Sequence, residues 1–157
     1  MTNVLFAHDR SLGLEYEKLL IRKGYCVSPI DISHQSGDDT LDEICRNIGT
    51  NDFDIMFVDG LFAYRNKLRT TLNKRGLDDK GLPLLVGYYL FSEDVDKGLS
   101  VSGCDFGKLS IDSLYEELTP ETIIQTLTQD PIPKTDGLLF NPSRYEERDG
   151  LVLPIES

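Results

Sequence analysis

The sequence predicts an α/β fold: a doubly wound, five-stranded parallel sheet of (βα)5 order over residues 1–130, followed by a C-terminal extension at 131–157. Three observations predict it. Short apolar runs bounded by turn residues recur five times, the pattern of strands buried on both faces of a parallel sheet. The segments between them carry apolar residues at helical spacing, with recognisable starts and stops. Strand and helix alternate throughout, which implies right-handed crossovers with helices on both faces.

Residues 3–7 (NVLFA) read as the first strand. Asp9 or Ser11 caps a helix with Leu12, Tyr16, Leu19 and Leu20 on its apolar face. Arg22 and Lys23 suit its carboxyl end, and Gly24 supplies the left-handed stop. Residues 25–32 (YCVSPIDI) read as the second strand; Pro29 cannot donate to a ladder, which predicts an edge position. Thr40-Leu41-Asp42-Glu43 matches a capping box and predicts a helix through Ile44 and Ile48 to Gly49. The third strand lies in 51–60 (NDFDIMFVDG), where Ile55, Met56, Phe57 and Val58 run into Asp59 and Gly60. One helix follows at 62–75, with Leu68 and Leu72 a turn apart and Gly76 as its stop. Residues 82–90 (LPLLVGYYL) read as the fourth strand. Tyr88 and Tyr89 alternate faces there, one toward the core and one toward the surface. Ser92 caps the next helix, Gly103 ends it, and the fifth strand lies within 104–111. Thr119-Pro120-Glu121 opens the last helix with a cap, a proline at N1 and an acid; Ile123, Ile124 and Leu127 follow. Residues 130–134 (DPIPK) read as a linker or stiff turn. Beyond them, the apolar runs at Leu138, Leu139, Phe140 and at Leu151, Val152 fit a hairpin, an arm laid over the domain, or a tail.

Composition narrows the function classes. The formal net charge is −11, a surface that repels nucleic-acid phosphates and anionic membranes. Arg65, Lys67, Arg69, Lys74, Arg75 and Lys80 cluster in sequence, as a solvated helix face or a docking patch for an acidic partner. Cys26, Cys45 and Cys104 are odd in number and widely spaced, and read as reduced thiols of a cytoplasmic protein. With His8 and His34 the only histidines, no zinc-ligand spacing appears. The amino terminus lacks the pattern of a signal peptide, and no apolar run has the length of a membrane span.

In open α/β sheets, ligands bind at the carboxyl ends of the strands. Asp9 follows the first strand, Asp59 ends the third and Lys108 lies near the fifth. FDIMFVDG resembles the phosphoacceptor strand of the response-regulator receiver family. NVLFAHDR is similar to its first strand and acidic pair, and SEDVDKGLSVSGCDFGKLSI to its fourth helix and fifth strand. The resemblance spans residues 3–129. It implies a flavodoxin-like receiver fold, Asp59 as phosphoacceptor, Asp9 and Asp59 as Mg²⁺ ligands, and Lys108 as the phosphate contact. The partner it implies is a histidine kinase or a downstream signalling protein. Such chemistry brings two anions together, and a metal and an ammonium offset their charge.

Several positions depart from that pattern. His8 stands where the first acid belongs, and Mg²⁺ prefers oxygen. Arg10 adds a cation beside Asp9. Gly87-Tyr88-Tyr89 replaces the hydroxyl at the end of the fourth strand. Lys108 is followed by Leu109, and no proline falls between Gly60 and Asn66. The expectation is therefore a pseudo-receiver: a non-enzymatic signalling or protein-interaction module in two-component signalling, with Asp phosphorylation impaired or lost. It takes no cofactor, or Mg²⁺ only weakly, and is open to homodimerisation. In this reading Arg10 and Lys108 neutralise Asp9 and Asp59, and His8 is a hydrogen-bonded loop residue. The alternative is a phosphorylatable receiver. Ranked below it is a degenerate cobalamin-binding-type domain, whose Asp-x-His-x-x-Gly loop aligns with residues 8–13 but puts Arg10 at the cobalt ligand. A flavodoxin-type phosphate loop finds only one serine and one glycine there. No hydrolase or nucleotide-hydrolase motif is present.

Overall fold

The computed structural model describes residues 2–89, 95–108, 120–127, 129, 131–135 and 138–155. In chain order the elements are β1 (Asn3–His8), α1 (Arg10–Arg22), β2 (Cys26–Asp31), α2 (Gly37–Thr50), β3 (Ile55–Asp59), α3 (Gly60–Arg65) and α4 (Leu68–Lys74). A 3-10 turn at Asp79–Gly81 leads to β4 (Leu84–Tyr88), α5 (Val95–Ser102), β5 (Phe106–Lys108) and α6 (Pro120–Leu127). Four short strands complete the chain: β6 (Ile132–Pro133), β7 (Leu139–Phe140), β8 (Tyr145–Arg148) and β9 (Leu151–Pro154). The molecule is α/β with a mostly parallel central sheet.

That sheet has six strands in the order β2-β1-β3-β4-β5-β7. The first five are mutually parallel, and β7 pairs antiparallel with β5. The sixth strand corrects the expectation of five. Leu139 and Phe140 leave the extension to cover the edge of β5, opposite Gly107 and Phe106. Strand β2 lies at the other edge, where Pro29 predicts it.

Side chains alternate between two cores because the strand period is two. Val4, Phe6, Ile55, Phe57, Val86, Tyr88 and Phe106 face one way, against Tyr16 and Leu20 of α1 and Ile123 of α6. Leu5, Ala7, Met56, Val58 and Leu85 face the other way, against α2, α3, α4 and α5. Helices thus cover both faces.

Two helices differ from the expected ones. Helix α2 begins at Gly37, capped by Ser36, whose hydroxyl accepts from the Asp39 amide at 3.1 Å. The expected cap, Thr40, is buried inside the helix and donates its hydroxyl to Ser36 O at 2.9 Å. Gly49 is helical, and Asn51 is the C-cap. The helix expected at 62–75 is two helices, broken at Asn66 and Lys67. The Asn66 side-chain amide donates to Phe62 O at 2.9 Å, and Lys67 takes a left-handed conformation with φ 45°. The expected caps Ser92 and Thr119 lie outside the described residues.

The extension is both hairpin and arm. Strands β8 and β9 pair antiparallel around Asp149-Gly150, which have φ of 53° and 78°. Two successive positive φ values are those of a type I′ turn, the usual Asp-Gly hairpin connection. Strand β6 adds to β9. Ile132, Leu138 and Val152 are buried in the first core, and Tyr145 packs on Phe106 with ring centroids 4.9 Å apart.

Candidate functional site

The parallel register builds one row of side chains across the carboxyl ends of the strands. Asp59 of β3 lies opposite Tyr88 of β4, and Tyr88 opposite Lys108 of β5. On β1, Ala7 pairs with Val58, so His8 follows at the level of Asp59. All four share the strand parity of Phe6, Phe57, Val86 and Phe106, and so belong to the face of the first core.

His8 is buried and held at both ring nitrogens. Nε2 lies 3.0 Å from Glu17 Oε1, and Nδ1 lies 3.1 Å from the Asp9 carbonyl. Its ring packs on Phe6 with centroids 4.3 Å apart. Gly13 makes room for it: a Cβ at position 13 would come within 2.5 Å of His8 Nδ1. His8 is thus the hydrogen-bonded residue expected, though it ends a strand rather than sitting in a loop. Glu17, nine residues away on α1, was not visible as its partner; no local spacing signals it.

Asp9 opens α1, its carbonyl accepting from the Gly13 amide at 2.9 Å. Arg10 is exposed, and its backbone N–H supports the Asp31 carboxylate, which also accepts from the Ser33 amide at 2.9 Å and sits below the usual carboxyl range.

Asp59 ends β3 and caps α3. Its Oδ1 accepts from the Phe62 amide at 2.9 Å. Burial pushes its carboxyl above the ordinary value. The amides of Phe62 and Leu61 pull the other way, Asp9 adds like-charge repulsion, and Arg65 gives partial relief. Arg65, read in the sequence only as part of a basic patch, is therefore a charge that acts on Asp59.

Tyr88 fills the centre of the row. It is 3% exposed, and its ring stands edge-on to Phe6 at 6.1 Å. The hydroxyl is buried and has no hydrogen-bond partner among the described residues. Burial raises its pKa, and the charges of Asp59 and Asp9 raise it further. The Asp9 N–H works in the opposite direction without reaching hydrogen-bonding geometry. Lys108, also buried at 6% exposure, is two strand spacings from Asp59, roughly 10 Å at the backbone.

The structure therefore brings Asp9, Asp59 and Lys108 to one edge, with a tyrosine at the register position between Asp59 and Lys108. Among the described residues, no group of three or more His, Cys, Asp or Glu side chains is arranged to hold a metal ion.

Tyr89 does not lie on the surface, as one tyrosine of the pair was expected to. It turns to the second core and is half-buried. Its ring rests on Gly60, Gly87, Gly98 and Gly107. A Cβ on Gly60 would come within 2.4 Å of the ring, and one on Gly98 within 3.0 Å. The four glycines come from the start of α3, from β4, from α5 and from β5. Their spacing in sequence gives no sign that they meet.

Chemically, the edge carries two interacting carboxylates, a buried ammonium and a phenol. No protein-family model matches the chain, and no curated protein sequence matches it.

Proposed function

We propose that the chain is a receiver-like, flavodoxin-type α/β module that acts by binding protein partners, with aspartate phosphorylation impaired or lost. The parallel strands run in the order β2-β1-β3-β4-β5, which flavodoxin-like domains and receivers share. The observation that carries the loss of chemistry is Tyr88, a buried tyrosine at the register position between Asp59 and Lys108. Transfer of a phosphoryl group to Asp59 needs cations that offset its developing charge. Here the neighbouring position holds a buried phenol rather than a cation, the first acid is replaced by a histidine engaged with Glu17, and Asp59 is engaged as a helix cap.

The partner is a histidine kinase or a downstream signalling protein, docking on the β4–α5 face. Ile132, Leu138 and Val152 of the extension are buried in the chain's own core, which favours this face over the extension as the docking surface. No helix among the described residues is long and apolar enough to cross a membrane.

The second reading, a phosphorylatable receiver with Asp59 as phosphoacceptor, draws on one observation. Asp9 and Asp59 are close enough for the charge of Asp9 to act on Asp59, as a metal-binding pair requires. Amide spectra recorded with saturating Mg²⁺ and beryllofluoride separate the two. We expect residues around Asp9, Asp59 and Lys108 to stay unshifted; saturable shifts there would replace our reading with the second.

A further inference from the structure

We infer that Tyr88 is a built-in plug: its ring and hydroxyl fill the space at the Asp9–Asp59 edge that a hydrated divalent cation would need. The inference rests on the reading above and names the residue that enforces it.

Three observations converge on Tyr88. The register puts it directly beside Asp59 and on the same face. Its hydroxyl is buried and without a partner among the described residues, a condition that native structures seldom tolerate. Asp59 and Asp9 both lie near enough for their charges to act on it. The ring packs edge-on to Phe6 of β1, which keeps it leaning toward the strand that Asp9 follows. Mg²⁺ demands six oxygens in near-octahedral geometry and keeps several of its waters. A neutral phenol supplies one oxygen, and its ring excludes the waters. A serine or threonine at position 88 would carry its hydroxyl a full ring length closer to the strand and leave that space open.

The test needs no enzymatic readout. Mg²⁺ is titrated into ¹⁵N-labelled full-length chain, as wild type, Tyr88→Thr and Tyr88→Phe. Tyr88→Thr should gain saturable shifts at Asp9, Asp59 and Gly60, with affinity at least about tenfold above wild type, the usual scale for a change beside a metal ligand. Tyr88→Phe keeps the ring and should respond as wild type does. Adding Asp59→Asn to Tyr88→Thr should abolish the gain. Tyr88→Val, also small and β-branched, carries the test if the threonine variant does not fold. A folded Tyr88→Thr that stays inert overturns the plug, as does a Tyr88→Phe that gains as much as Tyr88→Thr. The two proposals fail separately. An inert wild type with an inert Tyr88→Thr defeats the plug alone, whereas a wild type that responds to Mg²⁺ with beryllofluoride defeats the functional reading.

Discussion

At Asp59 two effects act in opposite directions on one carboxyl group. Capping α3 favours an acceptor oxygen, while burial and the nearby Asp9 disfavour the charge, and together they hold its pKa above the ordinary 3.8. The folded chain therefore keeps a proton at pH values where the unfolded chain has lost it. Its contribution to stability is full below 3.8 and declines as pH rises through the folded-state value. Asp59→Asn retains the acceptor for the Phe62 amide and removes the charge. Its stability relative to wild type should rise between about pH 4 and pH 7 in thermal melts. Asp59→Ala removes the acceptor as well, and should lie about 1 kcal/mol below Asp59→Asn across that range. A flat difference between wild type and Asp59→Asn would mean that burial does not act on this carboxyl. The place of Asp59 was legible, because an apolar run ending in Asp-Gly marks the end of a buried strand. The roles of Tyr88 and Glu17 were not. Both depend on which residues the sheet and α1 bring opposite each other, and no local spacing encodes that.

Among the elements, α3, α5, β4 and β5 all pack on one ring. Tyr89 seats against Gly60, Gly87, Gly98 and Gly107, and each glycine matters for the Cβ it lacks. Gly60→Ala should destabilise the fold by about 1–3 kcal/mol, the usual result of overpacking a filled site. Combined with Tyr89→Leu, the two costs should fall short of additive, since the smaller side chain relieves the clash. Denaturant unfolding of the two single variants and the double variant reads this directly; strict additivity would show that the glycine seat does not couple these elements. Strand positions were readable because β-type apolar runs are short and sharply bounded. Helix starts were harder. Ser36-x-x-Asp39 and Thr40-x-x-Glu43 both have the form of a cap, and the upstream serine takes the role while Thr40 is drawn into the helix. The break between α3 and α4 occurs without glycine or proline. Asn66 folds its side chain back onto Phe62 O, an interaction any helical asparagine could make and few do.

For the molecule as a whole, the extension is joined to the α/β body by polar groups as well as by its apolar runs. Asn141 is fully buried, and its side-chain amide donates to Leu99 O at 2.8 Å and Cys104 O at 2.9 Å. Asp105 accepts from Arg69 at 3.0 Å, from Arg144 at 3.2 Å and from the Leu85 amide at 3.1 Å. Arg69 also donates to Gly103 O at 2.6 Å and to Asp79 at 3.0 Å. It is therefore an internal crosslink rather than part of the solvated basic face its sequence neighbours suggested. Arg75 is likewise engaged, with Asp38 and Asp42. Asp105→Ala would leave the Arg69 guanidinium buried without its main counter-charge, and should cost about 3–5 kcal/mol in denaturant unfolding. A loss below about 1 kcal/mol, typical of an exposed pair, would mean that the network is dispensable. None of this was legible, because Asp105 and Asn141 find their partners 20 to 42 residues away.

The two rims of the central sheet bear on how copies of the chain behave in a crowded solution. The amides of Cys26 and Ile32 donate inward to Thr2 O and His8 O. By alternation the nitrogen of Pro29 faces outward, where it offers no donor. The opposite rim is β7, only two residues long. Pro29 removes one outward donor at the first rim and the second rim is short, so sideways growth into ladders is disfavoured at both. Recognition by adding a strand is disfavoured at these two rims for the same reason.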